Sequence, residues 1–114
     1  MDKKIQRSER DYEFQAEMLS VLANPKRLMI IHLLGDGAKT VGEIAAEVGM
    51  SLQNASQHLR VMKDRGIVVA QKEGQTVSYS LITPVLSDCC ETVRCAMLDL
   101  ANARGKFYDQ VSSV

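Results

Sequence analysis

At 114 residues, 46% of them hydrophobic and with 14 Lys and Arg balanced by 14 Asp and Glu, the chain has the size and composition of one globular domain with a modest core. Zero net charge removes the overall basic excess by which many nucleic-acid binders announce themselves, and the middle of the chain is only weakly basic, with seven Lys or Arg against five Asp or Glu over residues 24–75. No apolar run is long enough to span a bilayer and the N-terminal MDKKIQRSERD has no apolar signal core, so a soluble, cytoplasmic protein with no membrane association is expected.

Residues 8–23 read as a first helix, with Tyr12, Ala16, Leu19 and Ala23 on one side and Phe14, Met18, Val21 and Leu22 beside them. So wide an apolar arc needs two surfaces to bury against, its own core and a partner chain. Asn24-Pro25 supplies a cap followed by proline at the first helical position, opening a second helix over residues 25–34 that Gly35-Asp36-Gly37 ends. Thr40 and Glu43 have capping-box spacing, and Val41, Ile44, Ala45 and Val48 form the stripe of a short third helix stopped by Gly49.

The fourth helix, residues 51–65, carries the chemistry. Ser51 is its expected N-cap and Gly66 its stop. Leu52, Ala55, Leu59 and Met62 repeat at helical spacing, while Gln53, Asn54, Ser56, Gln57, His58 and Arg60 fill the rest. Gln and Asn suit adenine edges, Arg suits guanine or phosphate, and Ser is tolerant. Each of these is also a residue that a solvated helix face carries, and a single His near a helix midpoint is more often a packing residue than a ligand. Lys63, Arg65 and Lys72 are candidate phosphate contacts or ordinary surface charges. Two short helices joined by Gly49-Met50 make a helix-turn-helix over residues 40–65.

Ile67 to Ala70 is β-rich, Glu73-Gly74 is a turn signal, and Thr76 to Leu81 alternates with Val77, Tyr79 and Leu81 on one face. A hairpin over residues 67–82 therefore follows the fourth helix, its tip expected at residues 72–75. Thr83-Pro84 repeats the cap-plus-proline signal and opens a last helix over residues 84–108, striped by Leu86, Cys90, Val93, Met97 and Leu100. The expected fold is mainly α with a small β-hairpin, a winged helix-turn-helix in the order α-α-α-α-β-β-α.

The segments LANPKRLMIIHLL at 22–34, TVGEIAAEVGMSLQNASQHLRVMKDRGIV at 40–68 and EGQTVSYSL at 73–81 resemble the ArsR/SmtB family of dimeric transcriptional repressors over nearly the whole chain. Where that family usually has Ser-His-His-Leu or Ser-Arg-His-Leu, this chain has Ser56-Gln57-His58-Leu59. The resemblance implies a homodimer held by the first and last helices, repression through double-stranded operator DNA and release by an inducer, with no cofactor required.

Metal sites of the family often use cysteines in the third helix or Asp and His on the last one. Here the third helix has no cysteine, the last has no histidine, and the only histidines are His32 and His58, which argues against a zinc-type site. The odd set Cys89, Cys90 and Cys95 is not a secreted disulfide scaffold. It is similar to the cluster of the arsenic(III)-responsive branch, which implies a thiophilic inducer bound by three thiolates. At about 100° per residue, Cys90 lies roughly 100° and Cys95 roughly 240° around the helix from Cys89, so the three close on one ion only if the helix frays or a thiol comes from the other subunit. The alternatives are a core role for Cys90, a redox or persulfide switch, and a winged-helix module for protein contact without inducer. A thiol enzyme is not expected, since no His stands near the cysteines and there is no glycine-rich phosphate loop.

Overall fold

A computed structural model describes residues 7–104. The chain divides into two units, residues 1–82 and 83–114.

The first unit runs α1 (Glu9–Leu22), α2 (Pro25–Leu34), β1 (Lys39–Thr40), α3 (Val41–Val48), α4 (Leu52–Asp64), β2 (Val68–Glu73) and β3 (Thr76–Leu81). Local chemistry sets the helix starts. Ser8 and Asp11 form a capping box for α1, the Asn24 side chain accepts from the amides of Lys26 and Arg27 at 2.9 and 3.2 Å, and Thr40 and Glu43 form the expected capping box of α3. Each cap supplies an acceptor to helix amides that have no partner inside the helix. Gly49 ends α3 at φ 79°, a left-handed turn that glycine adopts without a Cβ clash.

The apolar stripes then meet. Ile30, Ile31 and Leu34 of α2, Ile44, Ala45 and Val48 of α3, and Ala55, Leu59 and Met62 of α4 are buried, joined by Val21, Leu22, Ile67 and Val68. Burying each large aliphatic side chain contributes roughly 1.5–3 kcal/mol. In α1 only Val21 and Leu22 are buried, while Tyr12, Phe14, Met18 and Leu19 stay exposed.

The wing differs from expectation in three ways. It has three strands, in the order β1-β3-β2 and antiparallel throughout. Lys39 and Thr40 pair with Tyr79 and Ser78, and Thr40 serves both roles because an N-cap is itself extended, here at φ −78°, ψ 163°. Second, β2 continues through Gln71, Lys72 and Glu73, paired down to Glu73 opposite Thr76, so the tip is the two-residue turn Gly74-Gln75 rather than residues 72–75. Gly74 sits at φ 64° and, among the described residues, no non-glycine residue has positive φ, the pattern of a type II′ turn, whose twist matches the strands. Third, Val77, Tyr79 and Leu81 do not form a separate buried face. Every residue of β3 from Val77 onward is half-buried, because β3 is the middle strand and α2 and α3 pack on it.

The second unit is α5 (Val85–Arg104), opened by Thr83, whose hydroxyl accepts from the Val85 amide at 3.3 Å. Of its expected stripe, Leu86 is buried, Cys90 and Met97 are half-buried, and Val93 and Leu100 are exposed. The end of this helix expected at residues 105–108 lies outside the described residues. Among the described residues no helix is long and apolar enough to cross a membrane.

Candidate nucleic-acid interface

On α4 a buried apolar face and an exposed polar face are distinct. Ala55, Leu59 and Met62 are fully buried, and Gln53, Asn54, Ser56, Gln57, Arg60 and Lys63 are all exposed. Residues three and four apart are neighbours on a helix surface, so Gln53, Ser56, Gln57 and Arg60 make one continuous strip with Asn54 beside it. Ser51 caps the helix by accepting from the Asn54 amide at 3.1 Å, which occupies the backbone of Asn54 and leaves its side-chain amide to the surface. The first turn contains no acidic residue, so the positive end of the helix dipole is uncompensated there, as an anionic partner requires.

Leu52 departs from its expected place. It belongs to the apolar series in sequence but is 59% exposed. It is the first residue after the cap Ser51.

His58 is half-buried and placed differently from the polar strip. Its Nδ1 accepts a hydrogen bond from Arg27 Nε at 3.2 Å, across 31 residues of sequence. Arginine nitrogens only donate, so Nδ1 is unprotonated and the imidazole proton sits on Nε2. Burial first, then the charges of Arg27 and Lys26, hold the His58 pKa below its ordinary 6.5, and the ring is neutral at physiological pH. Arg27 was not singled out by sequence reasoning. The available signal was an arginine next to Lys26 in the first turn of a largely apolar helix.

Lys72 is exposed near the end of β2, opposite Val77, and Gly74 and Gln75 are exposed at the tip. Arg65 caps the C-terminal end of α4 and is exposed too. Thus α4 and the wing tip present Gln, Asn, Ser, Arg and Lys, the donor and acceptor set that reads base edges and phosphates.

The cysteines lie within the uninterrupted α5. Cys89 and Cys95 are exposed and Cys90 is half-buried. Burial, with Cys89 and then Glu91 adding to it, pushes the Cys90 thiol above its ordinary pKa. Among the described residues no three His, Cys, Asp or Glu side chains of one chain gather into a ligand set. A continuous helix spreads these thiols around its circumference, so one chain alone does not present all three to a single ion.

A family profile described as a helix-turn-helix domain matches residues 22–71. An HTH-type transcriptional regulator of Mycobacterium tuberculosis is 34% identical over 88 residues, 76% of this chain and 77% of the relative, and its crystal structure superposes with a TM-score of 0.76 at 32% identity, covering 85% of this chain and 98% of that one. A homodimeric winged helix-turn-helix DNA-binding domain from Mycobacterium bovis, described as a possible ArsR-family regulator, matches with a TM-score of 0.73 at 30% identity over 90% of this chain and 95% of that one. The AntR antimony-specific transcriptional repressor matches with a TM-score of 0.75 at 26% identity, over 90% and 93% of the two chains.

Proposed function

This chain belongs to the ArsR/SmtB family of winged helix-turn-helix transcriptional regulators, and from that premise we propose that it is a cytoplasmic, homodimeric repressor that binds double-stranded operator DNA and is released by a thiophilic inducer. As a DNA-binding regulator it is not an enzyme. The observation that carries the reading is the polar strip of α4, exposed along its length opposite the fully buried Ala55, Leu59 and Met62. A helix so divided fits the major groove with its outer side chains against base edges. Gln53, Asn54, Ser56, Gln57 and Arg60 are the base-reading candidates. His58 adds its Nε2 proton, and Lys63 and Lys72 are assigned to phosphates.

Dimerisation through the first and last helices is supported by their uncovered apolar side chains, Tyr12, Phe14, Met18 and Leu19 on α1, and Val93 and Leu100 on α5. A soluble helix seldom leaves so much apolar surface to water without a partner. Two-fold symmetry would then pair the α4 helices for half-sites one DNA turn apart.

The inducer reading assigns arsenite or antimonite to Cys89, Cys90 and Cys95, with at least one thiol contributed across the dimer. It is supported by the softness of thiolate ligands and by the likeness to an antimony-specific repressor.

Titrating the protein onto the DNA upstream of its own gene, then adding arsenite, antimonite, cadmium, zinc and a persulfide donor in turn, tests both halves. Salt-sensitive, sequence-selective binding relieved by arsenite or antimonite is the expected result. No DNA binding at low salt would leave a protein-contact module as the reading. Relief by the persulfide donor alone would make it a redox-responsive repressor. Inducer responses that survive Cys89→Ser, Cys90→Ser and Cys95→Ser would remove the cysteines from sensing.

A further inference from the structure

One polar connection inside the first unit goes beyond capping a helix end. Arg27 donates from Nε to His58 Nδ1 on α4 at 3.2 Å and from Nη1 to the Val21 carbonyl in the last turn of α1 at 3.1 Å, both part-buried. The second bond answers a specific vacancy. Within a helix the Val21 carbonyl would accept from the amide of residue 25, but residue 25 is Pro25 and has no N–H. Asn24 in turn anchors the backbone of Arg27, accepting from its amide at 3.2 Å. One planar guanidinium thus spans three helices: its own α2, the end of α1, and the middle of the helix that carries the polar strip.

We propose that Arg27 is a positioning residue for DNA recognition: its guanidinium ties α4, through neutral His58, to the end of α1, and so fixes the set of the reading helix relative to the helix proposed for the dimer contact. Resting on the repressor reading, this deepens it by naming the residue through which α1 and α4 are held in register. The rigid, forked guanidinium suits the task, because two donors at fixed angles constrain orientation as well as distance. A lysine offers a single ammonium on a flexible stem and cannot hold both acceptors in that geometry. The tie also has a required protonation state. A second proton on His58 would turn Nδ1 into a donor facing the Arg27 donor, with Lys26 a further cation acting on the ring.

The test uses the full chain and two readouts. In the DNA-free protein, imidazole nitrogen NMR is expected to show His58 as the Nε2–H tautomer with Nδ1 accepting, and Arg27→Met is expected to abolish the hydrogen-bonded Nδ1 signal. A predominant Nδ1–H tautomer would overturn the tie regardless of DNA. On operator DNA, Arg27→Met is expected to weaken binding about tenfold, the scale of one lost hydrogen bond to a charged group, with the salt dependence unchanged. Arg27→Met with His58→Ala is expected to be no weaker than the worse single variant. His58→Asn, which places an acceptor near the Nδ1 position, should respond to Arg27→Met with a further loss of affinity, whereas His58→Gln, whose polar group lies near Nε2, should not. Arg27→Lys guards against simple misfolding: it is expected to melt close to wild type yet bind like Arg27→Met. Additive losses, a salt slope reduced by about 1, or wild-type affinity in Arg27→Lys would each overturn the proposal and return Arg27 to a phosphate contact or a surface role. Absence of operator binding by the wild-type chain would instead sink the repressor reading, with the tautomer still deciding whether the tie exists.

Discussion

Leu52 and Leu59 stand two helical turns apart in the same apolar series of α4, yet Leu59 is fully buried and Leu52 is 59% exposed. The difference separates the residue that holds α4 in place from one that only shares its spacing. Leu59→Ala is expected to cost about 2–5 kcal/mol, the range for emptying a packed core position. Leu52→Ala should stay within about 0.5 kcal/mol, as surface changes do. Chemical denaturation at one fixed protein concentration checks both; a large loss in Leu52→Ala would mean that its side chain is covered in the assembled protein.

Stability should depend on pH through His58. The folded-state pKa lies below the ordinary 6.5, from burial first and then from Arg27 and Lys26, so the unfolded chain binds the proton more readily. The stabilising contribution is therefore complete above about pH 6.5 and is lost as pH falls from there through the folded-state value. Melting curves at pH 7.5 and pH 5 are expected to show this loss in wild type and a smaller one in His58→Asn. Equal losses in the two proteins would assign the effect to other groups.

The surfaces of α4 and the wing should divide by function. Lys72→Ala is expected to weaken binding uniformly across DNA sequences and to lower the salt slope by about 1, as a phosphate contact does. Gln57→Ala or Asn54→Ala should cost about 1–3 kcal/mol on the preferred operator and relax selectivity at one base pair. Binding measured on a panel of single-base operator variants at two salt concentrations separates the two behaviours. Selectivity that does not change in either α4 variant would take those side chains out of base reading.

Alkylation should distinguish the thiols. Cys89 and Cys95 are exposed, whereas Cys90 is half-buried and its thiol is pushed up by burial, then by Cys89 and Glu91. The thiolate is the reactive form. Timed iodoacetamide labelling at neutral pH, read by peptide mass spectrometry, is expected to modify Cys90 last, with its rate still rising at higher pH. Cys90 reacting first would contradict the half-buried placement.

What the sequence by itself determined is what short-range chemistry controls. Asn24-Pro25, Thr40 with Glu43, Ser51 and Gly49 marked helix ends within a few residues, because a cap is a bond between neighbours. The spacing of Ala55, Leu59 and Met62 placed the polar strip on the other side of α4, and helix periodicity alone spread Cys89, Cys90 and Cys95 around α5. Tertiary structure decided what depends on residues far apart in the chain. Lys39-Thr40 is too short to show alternation and becomes a strand only because Tyr79 and Ser78 come alongside. The polar Gln71, Lys72 and Glu73 enter β2 because the Gly74-Gln75 turn sets the register. Leu52 shares the helical spacing of the core stripe yet is exposed, because burial depends on what packs against a position and spacing alone does not supply that. Arg27 and His58 meet across 31 residues, a pairing that neither side chain's local pattern encodes, since it exists only once α1, α2 and α4 have packed.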